Sequence, residues 1–207
     1  MATPEIGRER LLSAAHVLPL MDLVRALRAQ GYQVPNVDPY DGGIYAQALF
    51  LLESPGPQAV GTQFISRDNP DPSAKNMSRS LDQAGFKRSQ TFLWNVVPYC
   101  VSTLEQKRNA TPAQVRCAAA DTQLFIDCLR ELKVVIFCGR RAQGAQQCLR
   151  LPTGVHGLQT FHPGQWLSTM PVVAKISRRR FGGLIKLFQT EILPSFLQVL
   201  PTPDKAP

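Results

Sequence analysis

Three stretches of the sequence end an apolar run in a polar side chain. The first, LFLLESPGP, delivers Glu53 and Ser54 just before a Pro-Gly-Pro turn. The second, LWNVVP, contains Asn95, and the third, FHPGQW, contains His162. A carboxylate can act as a base, a hydroxyl can orient a water molecule, and an amide or imidazole can hydrogen-bond a ligand. The pattern indicates a ligand site assembled from the ends of separate strands.

Each of these side chains also has a purely structural interpretation. Asn95 can cap a loop, because buried amides usually serve structure once they find partners. Likewise, His162 can be a structural histidine. Ser54 can be an ordinary turn residue before a proline, and Phe64 can be part of the core. These structural interpretations weaken together if the fold places all four residues at one edge of one sheet.

The surrounding elements predict such an edge. Four apolar stretches read as strands, at 47–52, 91–100, 133–139 and 159–162, and helical segments alternate with them. This alternation predicts a three-layer α/β/α fold with a central, mostly parallel four-stranded sheet. Ligands of such sheets bind beyond the carboxyl ends of the strands. Those ends carry Glu53 with Ser54, Asn95, Gly139 and His162.

The remaining segments read as parts of one domain that spans residues 1–207. It begins with an N-terminal helical segment, 1–43, of which residues 31–43 read as a loop. It ends in a flexible tail, 201–207. Residues 56–73 read as a long loop. Helices are predicted at 73–84, from the capping box TPAQ at 111–114, and over much of 178–198.

Composition narrows the class of protein. The chain has 23 basic and 15 acidic residues, a formal net charge of +8. This charge suggests a polyanionic partner, most simply nucleic acid, although a soluble basic protein without such a partner has the same balance. Five cysteines without a C-x-x-C pair indicate reduced thiols in a cytoplasmic protein, and only three histidines argue against a zinc site. No apolar run reaches the ~18 residues of a membrane span.

The order and spacing of six short motifs resemble the uracil-DNA glycosylase superfamily over roughly residues 45–195. ESPGP (53–57) and FHPGQW (161–166) resemble the family's motifs A and B. GTQF (61–64) resembles the segment that ends in a base-stacking phenylalanine, and DPSAKN (71–76) resembles a phosphate-contacting segment. LWNVVP (93–98) resembles the strand whose asparagine reads uracil, and VVIFCGRRAQ (134–143) resembles a strand–turn–helix of the family.

The resemblance implies a role for each site residue. Such enzymes flip a base out of the duplex into a pocket and cut its bond to deoxyribose. Phe64 would stack on uracil, Asn95 would pair with its Watson–Crick edge, and His162 would hydrogen-bond O2 as negative charge develops on the leaving base. Pro55 and Gly56 would line the pocket. The implied DNA contacts are Ser73, Lys75, Gly164, Gln165, Trp166, Arg178 and Arg179.

Motif A departs from most members of the family at two positions. Ser54 stands where many members place an aspartate or asparagine that positions the attacking water, and a hydroxyl is a far weaker base than a carboxylate at neutral pH. The neighbouring Glu53 is the stronger base, but successive side chains of a strand point to opposite faces, so one of the two is expected to reach the sugar. Gly56 replaces a tyrosine that blocks a 5-methyl group in some members, which implies a roomier pocket.

The loop after motif B is expected to fill the hole that a flipped base leaves in the duplex. Trp166 is in the implied position, and an indole can stack between bases. The alternative is that Trp166 anchors the loop in the core while Gln165 or Leu167 fills the hole. The run SRRR at 177–180, which contains Arg178 and Arg179, either holds DNA phosphates or is a solvated helix start.

The sequence therefore predicts a monofunctional uracil-DNA glycosylase of base excision repair. We expect a cytoplasmic monomer that hydrolyses the N-glycosidic bond in uracil-containing DNA without a metal or cofactor. A second hypothesis is a lesion-binding protein on the same fold that has lost turnover because of Ser54. A third, an unrelated α/β nucleotide hydrolase, lacks a phosphate-binding glycine-rich loop after the first strand.

Overall fold

The computed structural model describes residues 4–102, 106 and 108–165. In this part of the chain the strands are β1 (Asn36–Val37), β2 (Ala48–Leu52), β3 (Phe64–Ile65), β4 (Thr91–Asn95), β5 (Val134–Cys138) and β6 (His156–Thr160). The α-helices are α1 (Pro4–Arg10), α2 (Leu18–Ala29), α3 (Pro57–Thr62), α4 (Pro72–Gln83), α5 (Pro112–Cys117), α6 (Ala119–Asp127) and α7 (Arg140–Ala145).

A four-stranded parallel sheet with the order β4-β2-β5-β6 forms the centre of the molecule. The segments ALFLL, TFLWN and VVIFC of β2, β4 and β5 are almost entirely buried. Continuous apolar runs of this kind are expected where helices cover both faces of a parallel sheet. The predicted α/β/α fold with a parallel four-stranded sheet is confirmed.

Ring contacts show which helix covers which face of the sheet. Phe50 of β2 meets Phe86, which follows α4, edge-on with ring centres 6.2 Å apart. Trp94 of β4 meets Phe125 of α6 with ring centres 4.4 Å apart. Phe50 pairs with Leu93, the residue before Trp94, and successive strand residues point to opposite faces. The helices α4 and α6 therefore lie on opposite sides of the sheet.

The strand order places a topological switch point between β2 and β5 at the carboxyl edge of the sheet. The chain leaves β2 towards β4 on one side, whereas it leaves β5 towards β6 on the other. Connections that diverge in this way leave a gap, and open α/β sheets bind their ligands there. Glu53 follows β2 and Gly139 follows β5, so these two residues stand at the switch point.

Two predictions were wrong, the long loop at 56–73 and the bounds of the fourth strand. Residues 56–73 are not one long loop, because they contain α3 and β3. Pro57 begins α3, where its missing N–H is not needed. The fourth strand is His156–Thr160 rather than 159–162. It lies at the edge of the sheet, so its exposure alternates along the chain and no apolar run marks it.

The other differences are smaller. The predicted loop at 31–43 contains the two residues of β1, which pair with β3. The capping box of Thr111 and Gln114 is present, but the helix that it opens breaks at Ala118 into α5 and α6. The helix predicted over 178–198 and the tail at 201–207 lie outside the described residues. Of the helices described, none has the length and apolar character to cross a membrane.

Candidate active site

His162, two residues beyond β6, makes a hydrogen bond that fixes the role of one of its ring nitrogens. Its ring Nδ1 accepts a hydrogen bond from the backbone N–H of Gly164 at 3.1 Å. Because a backbone amide nitrogen can only donate, Nδ1 is the acceptor, and a neutral ring carries its proton on Nε2. In a neutral ring, Nε2–H is therefore the hydrogen-bond donor.

Two glycines allow the backbone to close around His162. Gly139 has a φ of +89°, a conformation that favours glycine, and a Cβ there would lie 2.9 Å from the Cβ of His162. A Cβ at Gly164 would lie 2.9 Å from Oγ of Ser73 and 3.2 Å from Nδ1 of His162. The turn after β5 thus packs directly against His162, and the first turn of α4 packs against Gly164.

The first turn of α4 brings Ser73 into the site. Asp71 caps this helix, and its Oδ1 accepts a hydrogen bond from the N–H of Ser73 at 2.8 Å. The Ser73 side chain is half-buried beside Gly164, whereas Lys75 is exposed to solvent. The structure therefore brings Ser73, Gly164 and His162 together, with Lys75 on the surface close by in sequence.

Asn95 is the last residue of β4, and its side-chain amide is buried. It pairs with Leu52, which lies two residues beyond Phe50 and therefore on the α4 side of the sheet. Asn95 is only 3% exposed, and its Nδ2 has no hydrogen-bond partner among the described residues. Leaving such a donor unpaired costs roughly 1–3 kcal/mol. Buried donors of this kind are usually satisfied in native proteins, so Asn95 is a candidate for binding a ligand or a water molecule.

Glu53, directly after β2, makes two hydrogen bonds that serve the structure. Its Oε1 accepts a hydrogen bond from the backbone N–H of Ala110 at 2.6 Å, and its carbonyl accepts one from Val97 at 3.0 Å. These bonds tie the end of β2 to the chain that follows β4. Sequence reasoning missed this role because Glu53 and Ala110 are 57 residues apart. Ser54 is half-buried and Pro55 is buried.

Gly56 stands in open space at the start of α3. Its φ of −85° is accessible to any residue. A Cβ at Gly56 would meet no described atom within 4 Å. The backbone therefore does not require glycine at this position, and a larger side chain would extend into the adjoining space.

Phe64 is buried outside the main apolar core. It is 1% exposed, and it lies in β3 opposite Asn36 of β1. The guanidinium carbon of Arg8 lies 5.5 Å from the centre of the Phe64 ring. Because the ring is almost fully buried, a base could stack on Phe64 only if neighbouring side chains such as Arg8 moved away.

A buried ion-pair network supports the segment that follows Phe64. Arg88 contacts the buried carboxylates of Asp38 at 2.5 Å and Asp41 at 3.2 Å, and Arg67 lies 3.6 Å from Asp41. Burial, with a further contribution from the charge of Asp38, raises the pKa of Asp41 to about 7. The partners are distant in sequence, so no local pattern predicts this network.

Some predicted site residues have no structural description. Gln165 lies in the 3-10 turn Pro163–Gln165, at the end of the described part of the motif B loop. Trp166, Arg178 and Arg179 lie outside the described residues, and the predicted wedge and phosphate contacts stay predictions. Within residues 4–102, 106 and 108–165, no three His, Cys, Asp or Glu side chains are grouped to hold a metal ion.

Comparison with known proteins supplies no family for the chain. No protein-family model matches it, and no curated protein shows significant similarity to it. The function is therefore inferred from the residues of the site and their geometry.

Proposed function

We propose that the protein is a uracil-DNA glycosylase, which hydrolyses the bond between N1 of uracil and C1′ of deoxyribose. The observation that carries the proposal is the buried Nδ2 of Asn95 at the carboxyl end of β4, which has no hydrogen-bond partner in the described part of the chain. A flipped uracil would accept a hydrogen bond from Nδ2 at O4 and donate N3–H to the amide oxygen. Cytosine carries an amino group in place of O4, which would oppose Nδ2 with a second donor.

His162 supplies the interaction that favours bond cleavage. The Gly164 N–H occupies Nδ1 at 3.1 Å, so a neutral ring offers Nε2–H to O2 of uracil. When the bond between C1′ and N1 breaks, its electron pair stays on the base, and negative charge develops on O2. A preorganised donor stabilises this charge more in the transition state than in the bound substrate.

A water molecule completes the reaction. Its oxygen forms the new bond to C1′, and one of its protons passes to the uracil anion, which leaves an abasic sugar and neutral uracil. We assign the orientation of this water to the hydroxyl of Ser54, because the Glu53 carboxylate is engaged by Ala110 at 2.6 Å. A hydroxyl suffices if C1′ already carries positive charge when the water attacks, as in oxocarbenium-like transition states.

Charge supports DNA as the partner. The formal net charge is +8, and Ser73 and the exposed Lys75 stand in the first turns of α4, next to the His162 loop. Basic and hydroxyl side chains of this kind contact phosphates without reading sequence. The proposed enzyme acts as a cytoplasmic monomer in base excision repair and uses neither metal nor cofactor.

A second candidate is a lesion-binding protein without turnover. It is favoured by motif A, where Ala110 binds the Glu53 carboxylate at 2.6 Å and Ser54 offers a hydroxyl in place of an acidic or amide side chain. Such a protein would bind flipped uracil through Asn95 and leave the glycosidic bond intact.

One experiment separates the two candidates. Excess protein is incubated with an end-labelled oligonucleotide that carries a single uracil, and any abasic site is then cleaved with alkali. Cleavage at the uracil position, with a cytosine-containing strand left intact, supports the glycosylase. Preferential binding to the uracil strand without cleavage supports the binding protein. Neither cleavage nor preferential binding would contradict both.

A further inference from the structure

The backbone carbonyls on either side of His162 are each bound by a side-chain amide. Gln143 of α7 donates from Nε2 to the carbonyl of Thr160 at 2.8 Å. Asn76 of α4 donates from Nδ2 to the carbonyl of Pro163 at 2.8 Å. We propose that Gln143 and Asn76 are positioning residues that clamp the His162 loop. The proposal rests on the catalytic role given to His162 above.

The chain leaves the sheet just before His162, so the loop needs such anchors. At the end of the edge strand β6, Gly139 N–H also donates to the Thr160 carbonyl, at 2.7 Å. The next residue, Phe161, is 64% exposed. Without the Gln143 side chain, the Thr160 carbonyl would keep the Gly139 N–H as its one donor among the described residues. This carbonyl lies where the strand ends and the His162 loop begins.

The two anchors belong to helices on opposite sides of the sheet. Asn76 is next to the buried Met77 of α4. Gln143 is next to the buried Ala142 of α7. The helix α7 packs against α5, and α5 leads directly into α6 on the other side of the sheet from α4. Because both helices are fixed in the core, the loop cannot move towards either side without lengthening one of the two hydrogen bonds. The clamp therefore keeps the ring of His162 within reach of the Gly164 N–H.

Displacement of His162 is expected to affect the chemical step rather than DNA binding. A misplacement of a catalytic group by about 1 Å can slow a reaction by on the order of 10²-fold. In the described hydrogen bonds, Gln143 and Asn76 donate to backbone carbonyls of the protein itself. We therefore expect their loss to slow excision at saturating enzyme while the affinity for undamaged DNA stays the same.

The test compares Gln143→Leu and Asn76→Leu with the matched control Gln146→Leu. Gln146 also connects the end of α7 to β6, because its Oε1 accepts a hydrogen bond from Nε2 of Gln159 at 2.6 Å, but it does not hold a carbonyl beside His162. Three measurements are made on each variant: single-turnover excision of uracil, the thermal midpoint, and the ¹H–¹⁵N NMR signals of the His162 ring, which report its tautomer.

The clamp predicts that Gln143→Leu and Asn76→Leu each slow excision by about 10- to 100-fold and shift His162 away from the Nε2–H tautomer. Gln146→Leu should keep the wild-type rate and tautomer. Wild-type rates in both clamp variants, or an equal loss in Gln146→Leu, would overturn the proposal. If Gln143→Leu does not fold, Gln143→Glu replaces it, because it has the same size but sets an acceptor against the carbonyl.

The NMR measurement also separates the clamp from the proposed function. If the wild-type protein releases no uracil, the proposed function fails. The tautomer of His162 is then the measurement that tests whether Gln143 and Asn76 position the loop. An unchanged tautomer in both clamp variants would then overturn it, and a shift confined to these variants would support it.

Discussion

The backbone N–H of Gly164 donates to Nδ1 of His162 across 3.1 Å, which leaves the proton of a neutral ring on Nε2. A Cβ at Gly164 would lie 3.2 Å from the same Nδ1 and 2.9 Å from Oγ of Ser73. The residue that orients the imidazole is therefore also one where an added side chain would displace it.

Gly164→Ala should slow uracil excision without unfolding the protein. The added methyl group forces Ser73 or the loop to shift, and the ring of His162 shifts with them. We expect the single-turnover rate to fall by about 10- to 100-fold. The matched control is Gly144→Ala, since a Cβ at Gly144 of α7 meets no described atom within 4 Å. Equal rates in the two variants would contradict the orienting role of Gly164.

Asn95→Leu should stabilise the fold while it abolishes uracil recognition. The substitution removes a buried Nδ2 that has no partner among the described residues, and it keeps the number and branching of the side-chain heavy atoms. The free energy of unfolding should therefore rise by about 1 kcal/mol.

The control for this change is Asn69→Leu. Asn69 is also buried, but its Nδ2 donates to the carbonyl of Phe64 at 2.9 Å and its Oδ1 accepts from Thr62 at 2.8 Å. Its replacement should lower the free energy of unfolding by about 1–3 kcal/mol. Urea unfolding measures both variants, and a destabilised Asn95→Leu would show that the Asn95 amide has a structural partner.

Asn95→Asp should lose the preference for uracil over cytosine. A carboxylate cannot donate to O4 of uracil, but it can accept from the amino group of cytosine. Excision is compared on two oligonucleotides that differ only in this base. Unchanged discrimination would remove Asn95 from the base-reading position.

Asp41 should reduce the stability of the fold as the pH rises towards neutrality. Burial raises its folded pKa to about 7, whereas an unfolded aspartate titrates near roughly 3.9. The folded state therefore binds the Asp41 proton more tightly than the unfolded state does. The stabilisation of the fold by this protonation is complete below about pH 4 and is lost as the pH rises through about 7.

Asp41→Asn removes this titration. The free energy of unfolding of the variant, relative to the wild type, should increase between about pH 4 and pH 8. Asp22→Asn is the control, because Asp22 is an exposed partner of Arg25 at 2.5 Å. A difference between Asp41→Asn and the wild type that does not change with pH would contradict the raised pKa.

The central strands were predictable because burial on both faces leaves continuous apolar runs in β2, β4 and β5. Asn95 stood out because it is the last residue of such a strand, and His162 because it lies two residues beyond the edge strand β6. The edge strand β6 starts three residues before the prediction, since its exposed residues interrupt the apolar pattern. The short α3 lies in a Gly- and Pro-rich segment whose composition is typical of loops.

The supporting contacts of the site could not be read from local patterns. Asn76 and Pro163 are 87 residues apart in the chain, and Glu53 and Ala110 are 57 apart. Such pairs meet only after the parallel strands have brought distant loops to the same edge of the sheet. Sequence reasoning located Asn95 and His162 at the carboxyl ends of strands, and the structure adds the contacts around the His162 loop.

The most direct measurement is the single-turnover release of uracil from a duplex oligonucleotide by the wild-type protein, by His162→Ala and by His156→Ala. His156 is the matched control, because it is an exposed histidine at the opposite end of β6. We expect complete release by the wild type and by His156→Ala, and a rate about 10²–10³-fold lower for His162→Ala. No release by folded wild-type protein, or equal release by all three, would contradict the proposal that His162 drives excision of uracil.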